Sequence, residues 1–354
     1  MSSAARLRPF DPAVVPHLFA MRPGYLNAAA LGLPFYDSLA ALRSHLDRWE
    51  AGQVSATDFD VLVDRARRAY ASLVGVAPER TAIGSQTSVQ VSLLAQSLPA
   101  GSTVVTVDGD FSSVTAPFHV RPEVTVRPVP LADLAEALTP DVAAVVFSLV
   151  QSADGRQADA EAVRTAAREH GILTLCDLTQ AAGSVPCSAE WWDMAICHTY
   201  KWLSCPRGLS FLTVSADLTE RLVPAQAGWF AGADPWASTY GPALELAGDA
   251  RRFDVSPAWP SVVGAVPVLE WFAQADIAGI RAHAAGLGDA LCRGLGLPER
   301  GQAIVAWPDP DGSDLAALQR AGVTASGRAG GVRASFHVWS TEEDVDMALG
   351  ALGR

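Results

Sequence analysis

Lysine is almost missing from this chain. Of its 26 basic residues 25 are arginine, and Lys201 is the one lysine. Signatures for metal and dinucleotide binding are missing as well. The seven histidines include no H-E-x-x-H, the five cysteines form no C-x-x-C, and the loop GSQTSVQ lacks the G-x-G-x-x-G of a nicotinamide site. These absences disfavour a zinc site, a disulfide framework and hydride transfer, and no metal is expected. Long apolar runs are absent too. Stretches such as Val142 to Val150 have strand length, against the ~20 residues of a membrane span, so no membrane partner is expected. Positive charge is in short supply. A net charge of −12 and a pI near 5.0 argue against a nucleic-acid partner. Asp11 and the prolines around it interrupt any secretory or transit-like run at the N-terminus, so a soluble cytoplasmic protein is expected.

What the chain does have is apolar and periodic. Hydrophobic residues make up 49% and charged residues 18%, well away from the disordered regime. At ~150 residues per domain, the length predicts about two domains. The spacing predicts helices over 58–76, 88–98 and 159–170, with strands over 102–108, 143–150, 171–177, 193–199 and 208–214. Uninterrupted apolar strands separated by helices mean a mostly parallel sheet covered on both faces, an α/β core. Past Gly241 the pattern predicts a helix over 243–253, a break at 255–260 and a helix over 262–275. A helix, strand, helix region follows, with strands near 303–308 and 331–339 and a last helix from Thr341. The expected division is an N-terminal segment 1–24, a large α/β domain 25–250 and a small α+β domain 251–354.

The lone lysine carries the chemistry. Arginine stays protonated and delocalised, whereas a desolvated lysine can lose its proton and attack a carbonyl as a free amine. A chance survivor would sit on a polar helix face. Lys201 instead follows an apolar strand and stands between Tyr200 and Trp202, where burial lowers an ammonium pKa. That setting favours a Schiff base. Among the cofactors bound in this way, pyridoxal phosphate also needs a carboxylate at its pyridine nitrogen, to keep the ring an electron sink. Asp177 fits, because it ends a strand where α/β sheets present their ligand contacts. An aspartate there also serves as a helix cap, so the pairing with Lys201 is what gives it weight.

The segment DLTQAAGSVPCSAEWWDMAICHTYKWLSCPRG, Asp177 to Gly208, resembles the cofactor-lysine region of the class V aminotransferase family. Within that family it looks most like kynureninase and its relatives. YLNAAALGLP, GSQTSVQ, GDFSS, AGWFAG, RRFDVSP and GVRASFHVWSTEEDV extend the resemblance over most of the chain. It implies a fold-type-I pyridoxal phosphate enzyme, with Lys201 as Schiff-base lysine and general base at Cα, and Asp177 at the ring nitrogen. Gln86 and Thr87, just ahead of a predicted helix, are read as phosphate contacts; the alternative is a plain helix cap. Phe111 is expected on the ring face. Gln180 is expected at the phenolate oxygen, where kynureninase has histidine.

Tyr200, Trp229 and Ser256 match positions that hold the phosphate. Ser256 is expected from a neighbouring subunit, which implies a homodimer with active sites at the interface. Ser152 and His198 are read as further cofactor contacts, and His198 reads equally well as a satisfied core histidine. Arg333 is expected to take the substrate α-carboxylate through its planar fork, with Asn27 on the same side. The resemblance implies an amino-acid substrate and a β-lyase outcome of the kynureninase or cysteine S-conjugate type. A class V aminotransferase or an epimerase is the alternative, and a non-catalytic cofactor-binding protein a further one. The family's desulfurases carry a cysteine before the carboxylate arginine, but here QRAGVTASGRAGGVR has none. AGADP in place of the kynureninase G-H step, and Ser256 where asparagine is usual, separate the chain from kynureninase itself.

Overall fold

A computed structural model describes residues 7–241 and 244–354. Its central sheet has seven strands: β1 (Thr81–Gly84), β2 (Thr103–Val107), β3 (Thr125–Val129), β4 (Val142–Ser148), β5 (Leu173–Asp177), β6 (Met194–His198) and β7 (Ser210–Val214). Their order is β1-β7-β6-β5-β4-β2-β3. From β3 to β6 every pairing is parallel, and β7 alone opposes both neighbours. The carboxyl ends of β1 to β6 therefore share one edge.

The apolar character of these strands follows from burial on two sides. Successive side chains point to opposite faces, so each strand feeds two cores. Val105, Val145, Phe147, Cys176, Ala195 and Cys197 enter one core, while Val104, Ala144, Val146, Leu175, Met194 and Ile196 enter the other. The first core also receives the Trp259–Phe272 helix, which packs on the Tyr36–Glu50 and Asp60–Leu73 helices. Pro260 lies in the first turn of that helix, where a missing N–H leaves no helical bond unmade.

A third core belongs to a smaller sheet of β8 (Ile304–Pro308), β9 (Ser326–Arg328) and β10 (Gly331–Ser335), ordered β8-β10-β9 and wholly antiparallel. Leu26 from the N-terminal part joins it, with Ala284, Leu291, Trp307, Phe336 and Ala348. Asn27 bridges to Ser335 and Tyr25 to Thr324, tying the beginning of the chain to this sheet.

One predicted helix does not form. Residue 243 lies outside the described residues, and within 244–253 only Ala250–Phe253 turns, as a short 3-10 helix, while Leu246 makes an isolated bridge to Gly232. The helical spacing there competed with Gly248, a poor helix interior residue, and with long-range pairing to the 228–233 segment. Elements that the sequence reading did not single out include the Tyr36–Glu50 helix, β1, the Ser112–His119 helix, β3, the Ser313–Arg320 helix and β9.

Behind the sheet, Arg67 and Asp254 form a buried pair. Arg67 Nη2 donates to Asp254 Oδ2 at 2.6 Å and Nη1 to Oδ1 at 3.2 Å, while Nη1 also reaches the Thr81 carbonyl. The Ile83 N–H donates to the same carboxylate at 2.7 Å, so the pair joins the Asp60–Leu73 helix, β1 and the 250–254 turn. Among the described residues, no helix is long and apolar enough to cross a membrane.

Candidate active site

The carboxyl edge of the sheet gathers the chemistry. Asp177 ends β5, Lys201 follows β6, and Asp110 and Phe111 follow β2. The Lys201 loop is held tightly. Ser204 N–H donates to the Lys201 carbonyl at 3.0 Å, and Ser204 itself sits at φ +52°, a left-handed conformation uncommon for a residue with a Cβ. Gly32 closes over the loop by donating to the Tyr200 carbonyl at 3.0 Å. A Cβ on Gly32 would lie 2.1 Å from the Lys201 carbonyl oxygen, so only glycine fits.

Lys201 is 5% exposed and faces a cavity of about 330 Å³, whose wall includes Asp110, Phe111, Ser152, Tyr200, Arg328 and Arg333. Its Nζ lies 5.3 Å from the centroid of the Phe111 ring and 5.7 Å from that of Tyr200. Burial lowers the ammonium to about 8, against the pull of Asp177 and with help from Arg333. A usable share of free amine is therefore present near neutral pH. Asp177 is buried and accepts from the Thr179 N–H at 2.8 Å. Burial pushes its carboxyl up to about 6, while Thr179 and then Lys201 pull it back.

A second, smaller cavity adjoins the first and shares Phe111, Tyr200 and Lys201 with it. Its wall adds Gln86, Thr87, Thr179, His198 and Arg207. Here the Thr87–Ser97 helix begins, and its N-cap Gln86 makes no side-chain cap bond, leaving the first N–H groups open. His198 Nε2 is buried without a partner. Burial, then Arg207 and Lys201, lowers His198 to about 4, so its ring is neutral. The Arg207 guanidinium lies 5.2 Å from the Tyr200 ring centroid, and His198 meets the same ring edge-on at 4.5 Å.

Arg333 is 2% exposed, and its hydrogen bonds run from Nη1 to the Ser152 carbonyl and to Ser152 Oγ at 3.1 Å. Its Nε has no partner. Burial, reinforced by Arg328, lowers this arginine to about 10. Ser152 Oγ also accepts from Gln180 Nε2 at 3.1 Å, and the Trp202 indole N–H donates to Gln180 Oε1 at 2.6 Å. Because an indole nitrogen only donates, Trp202 fixes which end of the Gln180 amide faces Ser152. Asp110 anchors the opposite wall by accepting from Ser148 N and Oγ at 2.8 and 2.6 Å, and from the Phe111 N–H at 2.6 Å.

The structure thus brings Gln86, Thr87, Phe111, Ser152, His198, Tyr200, Lys201 and Arg333 to two joined cavities, with Asp177 and Gln180 buried beside them. Asn27 stands behind, accepting from Ser326 Oγ at 2.5 Å. Two candidates stay apart within one chain. Trp229 packs on Phe230 and Trp236, and Ser256 is exposed. Neither lines the cavities. Sequence reasoning did not single out Asp110, Thr179, Arg207 and Arg328. Arg207 had the clearest signal, standing in PRG just after the lysine.

The donor set fits pyridoxal phosphate on grounds internal to the chain: a buried amine, a buried carboxylate near it, an uncapped helix start beside Arg207, and unpartnered nitrogens on His198 and Arg333. A phosphorylated pyridine aldehyde has a group for each. The chain belongs to the class V aminotransferase family, whose Aminotransferase class-V description matches residues 50–310. These are pyridoxal phosphate enzymes of fold type I.

Among relatives, the chain is 31% identical over 265 residues to a kynureninase of Deinococcus radiodurans, a match covering 70% of this chain and 63% of the relative. It therefore spans somewhat under two thirds of that protein's length. It is also 27% identical over 339 residues to the uncharacterized aminotransferase YcbU of Bacillus subtilis, covering 89% of this chain and 87% of the relative. The cysteine desulfurase CsdA of Escherichia coli superposes with a TM-score of 0.84 at 19% identity, covering 98% of both chains. At that identity the likeness speaks for the fold alone.

Proposed function

We propose that the chain is a pyridoxal phosphate-dependent β-lyase acting on an amino acid with a substituted side chain, of the cysteine S-conjugate or kynurenine-like type. The observation that carries this reading is the buried Lys201 amine facing one cavity with Arg333, beside the buried Asp177. When bound, the cofactor supplies an electron sink for negative charge at the substrate Cα. Lys201, near neutral in proton affinity, takes the Cα proton. Asp177 is the anion that keeps a proton on the ring nitrogen. Thr87, the helix start behind it, and Arg207 hold the phosphate. Arg333 grips the α-carboxylate with its unpartnered Nε and remaining N–H groups, which orients Cα toward the lysine.

No cysteine stands in either cavity wall, so a persulfide-forming nucleophile is not supplied by these surfaces. The kynureninase relative supports cleavage beyond Cα. A second reading, amino transfer or epimerisation, is favoured by coverage. The YcbU match and a 27% identical isopenicillin N epimerase of Streptomyces clavuligerus each span nearly the whole of both chains.

Incubation of the loaded enzyme with a cysteine S-conjugate and no 2-oxo acid separates the two. Sustained release of ammonia and thiol supports the lyase; strict dependence on an acceptor overturns it in favour of transfer. Exposed Trp236 and the 91% exposed Tyr240, close in sequence to Trp229, support a homodimer in which a second copy covers this segment. In that dimer Trp229 and Ser256 would complete the partner's phosphate site. Five unpaired cysteines agree with a reducing, cytoplasmic setting.

A further inference from the structure

We propose that the cavity takes an amino acid whose side chain carries a second anionic group, and that Arg328 is the residue that selects it. This rests on the reading above, in which Arg333 holds the α-carboxylate. The β9–β10 hairpin does the placing. Its register pairs Arg333 with Ser326 and Gly331 with Arg328. Residues opposite one another, or two apart along a strand, share a face, so Arg328 and Arg333 project from the same side of the hairpin. Both line the large cavity with Lys201.

A tight turn sets that arrangement. The two-residue connection has Ala329 at φ +48° and Gly330 at φ +76°. Consecutive positive values match the tight hairpin turn whose twist suits its strands, but alanine is strained in that conformation. A one-residue slip would carry Arg328 to the opposite face. The turn keeps the guanidinium on the cavity side.

The charges there do not balance. The wall carries Lys201, Arg328 and Arg333 against Asp110, whose oxygens are already taken by Ser148, Gln151 and the Phe111 N–H, and the buried Asp177 beside it answers Lys201, which leaves the two arginines in excess. Among the described residues Arg328 donates only to the Gly327 carbonyl, at 2.8 Å. Neither Arg328 nor Arg333 is among the ion pairs of the described residues. One α-carboxylate answers Arg333. Like charges on one face of a hairpin repel, and a second anion lying by Arg328 relieves that repulsion. The alternative is that Arg328, which is exposed, is simply a solvated surface arginine.

Titration calorimetry on the purified full chain, with and without bound pyridoxal phosphate, distinguishes these. The probes are glutarate, a dicarboxylate, and pentanoate, a monocarboxylate of equal length. The expected result is a preference for glutarate of about tenfold, abolished in Arg328→Gln and partly kept in Arg328→Lys, with pentanoate affinity and melting temperature unchanged. Equal affinities in the unaltered chain overturn the proposal, as does a preference that survives Arg328→Gln. Failure of the underlying reading is told apart by absorbance. A chain that prefers glutarate but never acquires a visible band on addition of pyridoxal phosphate loses the amino-acid substrate, and with it this proposal.

Discussion

Arg67 and Arg333 are both deeply buried, at 5% and 2% exposure, in regions built for different ends. Arg67 spreads its guanidinium over Asp254 and the Thr81 carbonyl, and the same carboxylate takes a backbone N–H from β1. Arg333 meets a serine and leaves Nε without a partner. The first arrangement is a closed tie between a helix, a strand and a turn. The second is half of an interaction, and burying half an ion pair is costly unless something completes it. A buried cation with its anion is a strut, while one without it fits the receptor role proposed for Arg333.

The most severe way to break this contrast is to remove what the open cation serves. Lys201→Ala is expected to lower turnover on the order of 10⁴-fold and to abolish the visible band, with the melting temperature little changed; steady-state assays and absorbance check it. Next comes the strut. Asp254→Ala strands the Arg67 charge and is expected to cost about 3–5 kcal/mol in urea unfolding, with the cavity residues untouched.

Arg333→Met sharpens the comparison from the other side. It is expected to leave stability unchanged or raised, because an unpaired buried charge gives way to an apolar chain of similar volume. KM for the amino acid is expected to rise about 100-fold, roughly 2.7 kcal/mol. Equal stability losses at both arginines would erase the distinction. The smallest effect is on cofactor capture. Only the neutral Lys201 amine attacks the aldehyde, and its pKa is lowered to about 8. Capture by the cofactor-free chain should therefore speed up by about tenfold from pH 7 to pH 9 and level off above, followed by growth of the visible band.

The candidate site was legible where composition singled out a residue. Lys201 stands out because nothing else in the chain shares its chemistry, and Asp177 because a strand end points to it. The arginines were harder to read. With so many in the sequence, Arg328 carries no signal of its own and Arg207 only its place in PRG after the lysine; the loop after β6 and the hairpin register bring them to the cavities. The parallel sheet was legible because burial on both faces makes its strands continuously apolar. The false helix at 243–253 shows the converse: helical spacing gives way when a glycine and a long-range bridge offer the backbone other partners. Trp229 and Ser256 were placed by resemblance, and a single chain leaves them away from the cavities.

The scarcity of lysine has a consequence outside the cavity. An aldehyde cofactor is a promiscuous reagent that condenses with accessible ε-amines, and here the one ε-amine of the sequence is buried in the cavity proposed to hold that cofactor. A solubilising surface made of arginine carries charge without offering a competing site of attachment. Sodium borohydride treatment of the loaded chain would therefore tag essentially one side chain, and the stoichiometry of label would count occupied centres directly.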